Sequence, residues 1–156
     1  MLYPLREEAR YHGDLRGDSL DWTRVLELIE WVDGVRSDQL YLEGDSDGTS
    51  FALSVEGGTA GEVALGLRVS RGYYNLTVSQ PRSEGAEWVW IPSGGVRHAV
   101  PRHLVVRRDS AVSAVRRFAT EGLAVLDADE WERFDAEQYP LEDRPSDSMD
   151  PGPPVD

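Results

Sequence analysis

Between Gln39 and Ile91 the apolar residues of this chain recur at every second position instead of every third or fourth. That is the period of a strand with one buried face, and a helix over the same stretch would scatter those residues around its axis. Five segments carry the pattern: QLYLEG near Leu40 to Leu42, SFALSVEG around Phe51 to Val55, EVALGLRVS from Glu62 to Val69, YYNLTVS from Tyr73 to Val78, and EWVWIP from Glu87 to Ile91. The connections GDSDGT, EGGTAG and SRG are short and contain glycine, as adjacent antiparallel strands require. A meander of about five strands is expected. In EVALGLRVS, Val63, Leu65, Leu67 and Val69 share one face, while Glu62, Ala64, Gly66 and Arg68 share the other. A sheet of this kind has an apolar side that other elements must cover.

Two helices are available for that cover. In DSLDWTRVLELIEWVDG, Asp18 to Gly34, the residues Trp22, Val25, Leu26 and Ile29 stand at i, i+3, i+4 and i+7. Asp18 or Ser19 is the expected cap, Gly34 the left-handed residue beyond the end, and Trp31 falls on the opposite, more exposed flank. In DSAVSAVRRFATEG, Val112, Val115, Phe118 and Ala119 form an apolar stripe between a cap at Asp109 or Ser110 and a stop at Gly122. The segment IPSGGVRHAVPRHLVVRR reads as a connection leading into this second helix. The layout is α+β: an N-terminal helix, an antiparallel meander, and a C-terminal helix packed on the sheet. Residues 1–134 are expected to form one domain. Residues 135–156, DAEQYPLEDRPSDSMDPGPPVD, are rich in Pro, Asp and Ser and are expected to be a disordered acidic tail, because they bury too little apolar surface to offset their ordering entropy.

Charge narrows the function more than composition does. The 156 residues carry 29 acids against 16 basic residues, a net charge of -13, and every basic residue is arginine. Direct binding to nucleic acid is disfavoured, because phosphate recognition requires positive surface to displace counterions. A basic protein partner suits such a chain. The absence of cysteine excludes disulfides, thiolate metal sites and thiol nucleophiles. No stretch has the apolar length of a signal peptide or a membrane span, so a cytoplasmic protein with no membrane contact is expected.

Motifs for chemistry are weak. Glu43-Gly44-Asp45-Ser46-Asp47-Gly48 imitates the first half of a calcium loop, but Ser54 stands where the bidentate acid belongs, and strands rather than helices flank it. A solvated hairpin turn is the expectation, one that still presents Asp45 and Asp47 to a basic partner. His98 and His103 have no carboxylate at ligand spacing nearby, and Ser93-Gly94-Gly95 lacks the context of a nucleophile elbow. Acid pairs such as Asp14 with Asp18, or Asp127 with Asp129, are expected by chance in so acidic a chain. No catalytic residue, cofactor or metal is assigned. Two readings divide Glu87-Trp88-Val89-Trp90-Ile91 evenly. Alternation places Trp88 and Trp90 together on one face, either as core or, with Glu84 and Glu87 beside them, as an aromatic and acidic binding surface.

VPRHLVVRRDSAVSAVRRFATEG with the following EW, Val100 to Trp131, resembles the C-terminal signature of the Imm1 immunity proteins of bacterial polymorphic toxin systems. Pro101, Ala111, Ala114, Phe118, Thr120, Gly122 and Trp131 stand at the places of that pattern. Glu121 separates the threonine from the glycine, and Ala124-Val125 occupy the place of the family's usual proline. With the upstream helix and meander, the resemblance spans about residues 10 to 134. It implies a small non-enzymatic protein that binds a cognate toxin domain and blocks it, deaminase-fold toxins acting on nucleic acid being the class most often linked to the family. An acidic inhibitor would be steered into the basic groove of such a toxin. Asp45, Asp47, Glu84, Glu87, Trp88 and Trp90 are the expected contacts, with Trp31 as a further candidate. These seven come from charge and exposure and not from the family. The alternative is an acidic interaction or regulatory adaptor domain with no toxin partner.

Overall fold

The computed structural model describes residues 10–15, 22–46, 49–77, 87–134 and 144–145, and for 10–15, 45, 46 and 49 it describes the backbone alone. Its elements in order are β1 (Arg10–Leu15), α1 (Trp22–Glu30), β2 (Gln39–Ser46), β3 (Thr49–Gly57), β4 (Glu62–Val69), β5 (Gly72–Leu76), β6 (Trp88–Ser93), β7 (Val96–Pro101), β8 (Val105–Arg107), α2 (Arg108–Glu121) and β9 (Trp131–Arg133). The fold is α+β. A main sheet runs in the order β1-β2-β3-β4-β5-β9, with β8 also paired to β4, and β6 and β7 form a separate hairpin. The β2-β3-β4-β5 meander is antiparallel throughout.

The expected alternation places the core. Leu40 and Leu42, Phe51, Leu53 and Val55, Val63, Leu65, Leu67 and Val69, and Tyr74 and Leu76 are all buried on one side of the sheet. Both helices cover that side. α1 contributes Val25, Leu28 and Ile29, and α2 contributes Ala111, Val112, Ala114, Val115 and Phe118. Trp22 stacks on Phe51 at 5.5 Å between ring centroids, and Phe118 meets both edge-on at 6.0 and 5.6 Å. Each such pair contributes about 0.5–1.5 kcal/mol beyond the area it removes from water. α2 stops at Gly122, whose φ of +70° disfavours any side chain and whose N–H donates to the Phe118 carbonyl, as the sequence implies.

Several expectations are corrected. The structure adds strands around the expected meander: nine are found among the described residues, seven in the main sheet and two in the separate hairpin. β1 pairs in parallel with β2, Arg10 opposite Gln39 through Leu15 opposite Gly44, with α1 in the crossover between them. RYHGDL has too few apolar residues to declare itself a strand. The segment read as a connection after Ile91 is largely strand: Gly94 and Gly95 take φ of +63° and +83°, which suits a two-residue hairpin turn joining β6 to β7. EWVWIP therefore belongs to that hairpin and not to the meander, and its Pro92 is tolerated because each strand of a two-stranded ribbon is an edge. α2 begins two or three residues earlier than expected, with Arg107 at the cap position, and Asp109 instead accepts the N–H of Ser110 at 2.9 Å inside the first turn. The run after Gly122 is a short 3-10 helix leading to β9, where Trp131 is buried. Gly34 has the expected positive φ of +80°, but it lies in the turn four residues after α1 ends, with Trp31 and Val32 already out of the helix. Asp18 and Ser19, the proposed caps of α1, lie outside the described residues, as does nearly all of the tail.

Candidate functional site

The side of the sheet away from the helices carries Gln39, Tyr41 and Glu43 on β2, Ala52, Ser54 and Glu56 on β3, Ala64, Gly66 and Arg68 on β4, and Tyr73 and Asn75 on β5, by the same alternation that buries their neighbours. Small residues at its centre leave room for larger ones to lie down. The Tyr73 ring covers Gly66 so closely that a Cβ there would overlap the phenol, and the Arg68 guanidinium stands 5.7 Å above the same ring. Tyr41 donates to Glu43, its neighbour on that face, at 2.6 Å, and this bond to a carboxylate raises the phenol above its ordinary range.

The β6-β7 hairpin lies against this face. Its tip is tied to the start of β2 by Asp38, whose two carboxylate oxygens accept the N–H groups of Gly94 at 3.1 Å and Gly95 at 2.8 Å. At its base the Arg102 N–H donates to the Glu87 carbonyl at 2.8 Å, and the Arg102 guanidinium pairs with Glu62 at 2.8 Å. Ile91 is buried, with its Cβ 3.6 Å from where a Cβ on Gly57 of β3 would stand, which attaches the hairpin through apolar contact as well.

A cleft of about 540 Å³ opens between hairpin and sheet. Gln39, Glu56, Tyr73 and Asn75 line it from the sheet, and Trp88, Ser93, His98 and Pro101 from the hairpin. Leu104, Phe134 and Arg144 complete the wall. Tyr73 and Phe134 meet edge-on at 6.0 Å, and Phe134 is 46% exposed. The volume lies within the range of small-molecule pockets, roughly 300–1,000 Å³. Chemically the cleft combines aromatic faces with one carboxylate, two carboxamides, one imidazole, one serine hydroxyl and one guanidinium. Two carboxylates gathered with a histidine, the arrangement that would favour an enzyme, are not found among its described lining residues, nor is there a metal-binding group of His, Asp and Glu among the described residues of the whole chain.

The residues singled out from sequence are divided by the structure. Trp88 lines the cleft, and Glu87 is exposed beside it. Trp90 is half-buried two residues on and is not part of the lining. Asp45 lies near the far end of β2, in register with Ser50. Seven extended residues separate it from Asp38, roughly 23 Å at the rise of a strand, so it stands at the opposite end of β2 from the hairpin tip. The ladder continues to Ser46 opposite Thr49, so strands flank the acidic turn on both sides. Asp47 and Glu84 lie outside the described residues. Trp31 is 40% exposed, with the Arg36 guanidinium 4.7 Å from its ring centre.

Sequence reasoning missed Asp38, Glu56, Tyr73, Asn75 and His98 as members of one site. Alternation put Glu56, Tyr73 and Asn75 on the open face, but nothing local announced that a hairpin would roof them. It also missed the contact of His103 with Glu132, Nε2 and Oε2 at hydrogen-bonding distance, 3.2 Å apart, which brings together residues 29 positions apart. Comparison of the chain with protein-family models, with curated proteins and with solved structures gives no match, so the likeness of residues 100–131 to the Imm1 pattern stands on those residues alone.

Proposed function

We propose that the protein is a non-enzymatic immunity protein that binds a cognate toxin domain with a basic active-site groove and occludes it. The observation that carries this reading is a net charge of -13 on a chain without lysine, coupled to an aromatic-lined cleft that holds the Glu56 carboxylate, with Glu87 exposed next to Trp88 at the base of the hairpin. Long-range attraction steers an anion of this size toward a groove built for nucleic acid, and aromatic anchors then supply short-range affinity. Occlusion requires no chemistry from the inhibitor. The local Imm1-like pattern supports the same reading and names deaminase-fold toxins as the class to try first. Asp45, Asp47, Glu84, Glu87, Trp88 and Trp90 are the proposed contacts, in a cytoplasmic setting.

Co-purification of the tagged protein with the product of the adjacent upstream gene, at low and high salt, tests the reading. A stoichiometric complex that abolishes a nucleic-acid-modifying activity and loosens with salt is expected. A neighbour with no toxic activity, and no partner retained at either salt, would overturn it and bring forward the acidic adaptor.

A further inference from the structure

Two polar residues are buried among the described residues, Ser37 and Ser93. The Ser37 hydroxyl donates to the Gln39 carbonyl at 2.9 Å. The Ser93 hydroxyl makes no hydrogen bond to a described residue, although Ser93 is only 5% exposed and lines the cleft. A buried hydroxyl left open in this way is a polar group that a ligand would satisfy. The Gln39 carboxamide stands at the same end, its Oε1 3.4 Å from where a Cβ on Gly94 would be, and Glu56 lies opposite Gln39 in the β2-β3 ladder. Asn75 adds a second carboxamide from β5, and neither carboxamide is hydrogen-bonded to a described residue. Trp88, opposite Pro101 at the base of the hairpin, is five residues from Ser93, roughly 17 Å at the rise of a strand. The cleft thus runs from a hydrogen-bonding end to an aromatic one.

This lining selects by charge and by shape. With histidine neutral, its described residues carry one carboxylate and one guanidinium, so neither sign is in excess, and the net charge of -13 further opposes an anion. A purely apolar ligand would leave the Ser93 hydroxyl and both carboxamides without partners. A nucleobase binds by stacking on flat ring faces, but Tyr73 and Phe134 meet at 77° and form no parallel pair. An uncharged pyranose sugar meets every condition. Its C–H face packs on an aromatic ring, and the hydroxyls around its rim, each a donor and an acceptor, match carboxamides and a serine hydroxyl. We propose that the cleft binds a short chain of uncharged sugars, with Gln39, Asn75 and Ser93 hydrogen-bonding the hydroxyls of one ring and Trp88 carrying the face of another. The assignment goes beyond the immunity function and does not rest on it.

The test uses the full chain labelled with 15N, with the Trp88 indole signal identified by its loss in Trp88→Phe. Maltotriose, cellotriose and triacetylchitotriose are titrated in turn, with trigalacturonic acid as a charged counterpart and cytidine as a nucleoside. At least one neutral trisaccharide is expected to move the Ser93 amide and the Trp88 indole saturably and with a single affinity. Ser93→Ala and Asn75→Ala are each expected to weaken that sugar by about threefold or more. Asn75 is only half-buried, so its variant keeps the test decisive if Ser93→Ala does not fold. No saturable shift with any of the three neutral sugars, tighter binding of trigalacturonic acid or cytidine, or an affinity unchanged by Asn75→Ala would each overturn the proposal. These titrations need no toxin. Sugar binding by a protein whose neighbouring gene encodes no toxin would leave the cleft assignment standing and the immunity reading refuted. A toxin complex formed by a protein that binds none of the sugars would do the reverse.

Discussion

Gly58 shows how much of the fold can depend on a missing side chain. Its φ is +99°, and a Cβ there would overlap the carbonyl of Val32 in the turn after α1. Its N–H meanwhile donates to the Glu62 carbonyl at 2.7 Å, closing the loop between β3 and β4. Neither the backbone angle nor the contact can relax independently. Gly58→Ala is expected to destabilise by at least about 2 kcal/mol in urea denaturation, the sum of an unfavourable φ and a backbone displacement. Asp33, in the same turn, has a different lever. Burial pushes its carboxyl up, but the Arg36 side chain at 2.6 Å and the N–H groups of Val35 and Arg36 outweigh that and hold it at about 2. Because the folded value lies below the unfolded one, Asp33 stabilises the protein fully above about pH 4, and that contribution fades as pH falls toward 2. The side chain is partly exposed, so the contribution is about 1–2 kcal/mol. Asp33→Asn should lower stability by that amount at pH 7, with the difference from the parent narrowing between pH 4 and pH 2. A gap that stays constant with pH would show that the carboxylate charge is not what matters there.

Among the elements, the β6-β7 hairpin depends on others for its position, while β2 to β5 position one another. A two-stranded ribbon is only marginally stable alone, so its docking is what keeps the cleft open at a defined width. Asp38 holds the tip with two charge-assisted bonds, each contributing about 1.5–3 kcal/mol before solvent screening. Asp38→Ala should leave the meander folded while amide exchange of Gly94, Gly95 and the β6-β7 ladder accelerates by at least about tenfold, measured by hydrogen exchange with mass spectrometry. Uniform acceleration across β3 and β4 would mean that Asp38 supports the whole domain. The elements were unequally legible. β4 declared its two faces through four alternating apolar residues, and Gly122 declared the end of α2. β7 was hidden because the apolar residues of VRHAVP cluster at Ala99, Val100 and Pro101 instead of alternating, although the Gly94-Gly95 pair between two strand-like runs is itself a hairpin signal. β1 was hidden because a parallel edge strand draws its register from its partner.

For the whole molecule, charge and shape divide the work of recognition. The net charge acts over roughly the 8–10 Å Debye length of physiological salt and sets the rate of encounter, while the cleft acts only on contact. Asp45→Arg combined with Glu87→Arg, near opposite ends of the proposed surface, should slow association with a basic partner by about tenfold at low salt and flatten its salt dependence, with little effect on dissociation. Association kinetics measured from low to high salt decide this, and an unchanged rate and slope would mean that binding uses another face. What the residue order determined by itself is local: the strand period, the apolar stripes of two helices, the stop at Gly122 and the sign of the charge all follow from neighbours within a few positions. The site was decided only by tertiary structure. Asp38 reaches Gly94 and Gly95 more than fifty positions away, His103 reaches Glu132, and Glu56, Tyr73, Trp88 and Arg144 meet around one cleft. Such meetings depend on how a sheet face is roofed, and periodicity, which says which side a residue takes, carries no information on what will cover it.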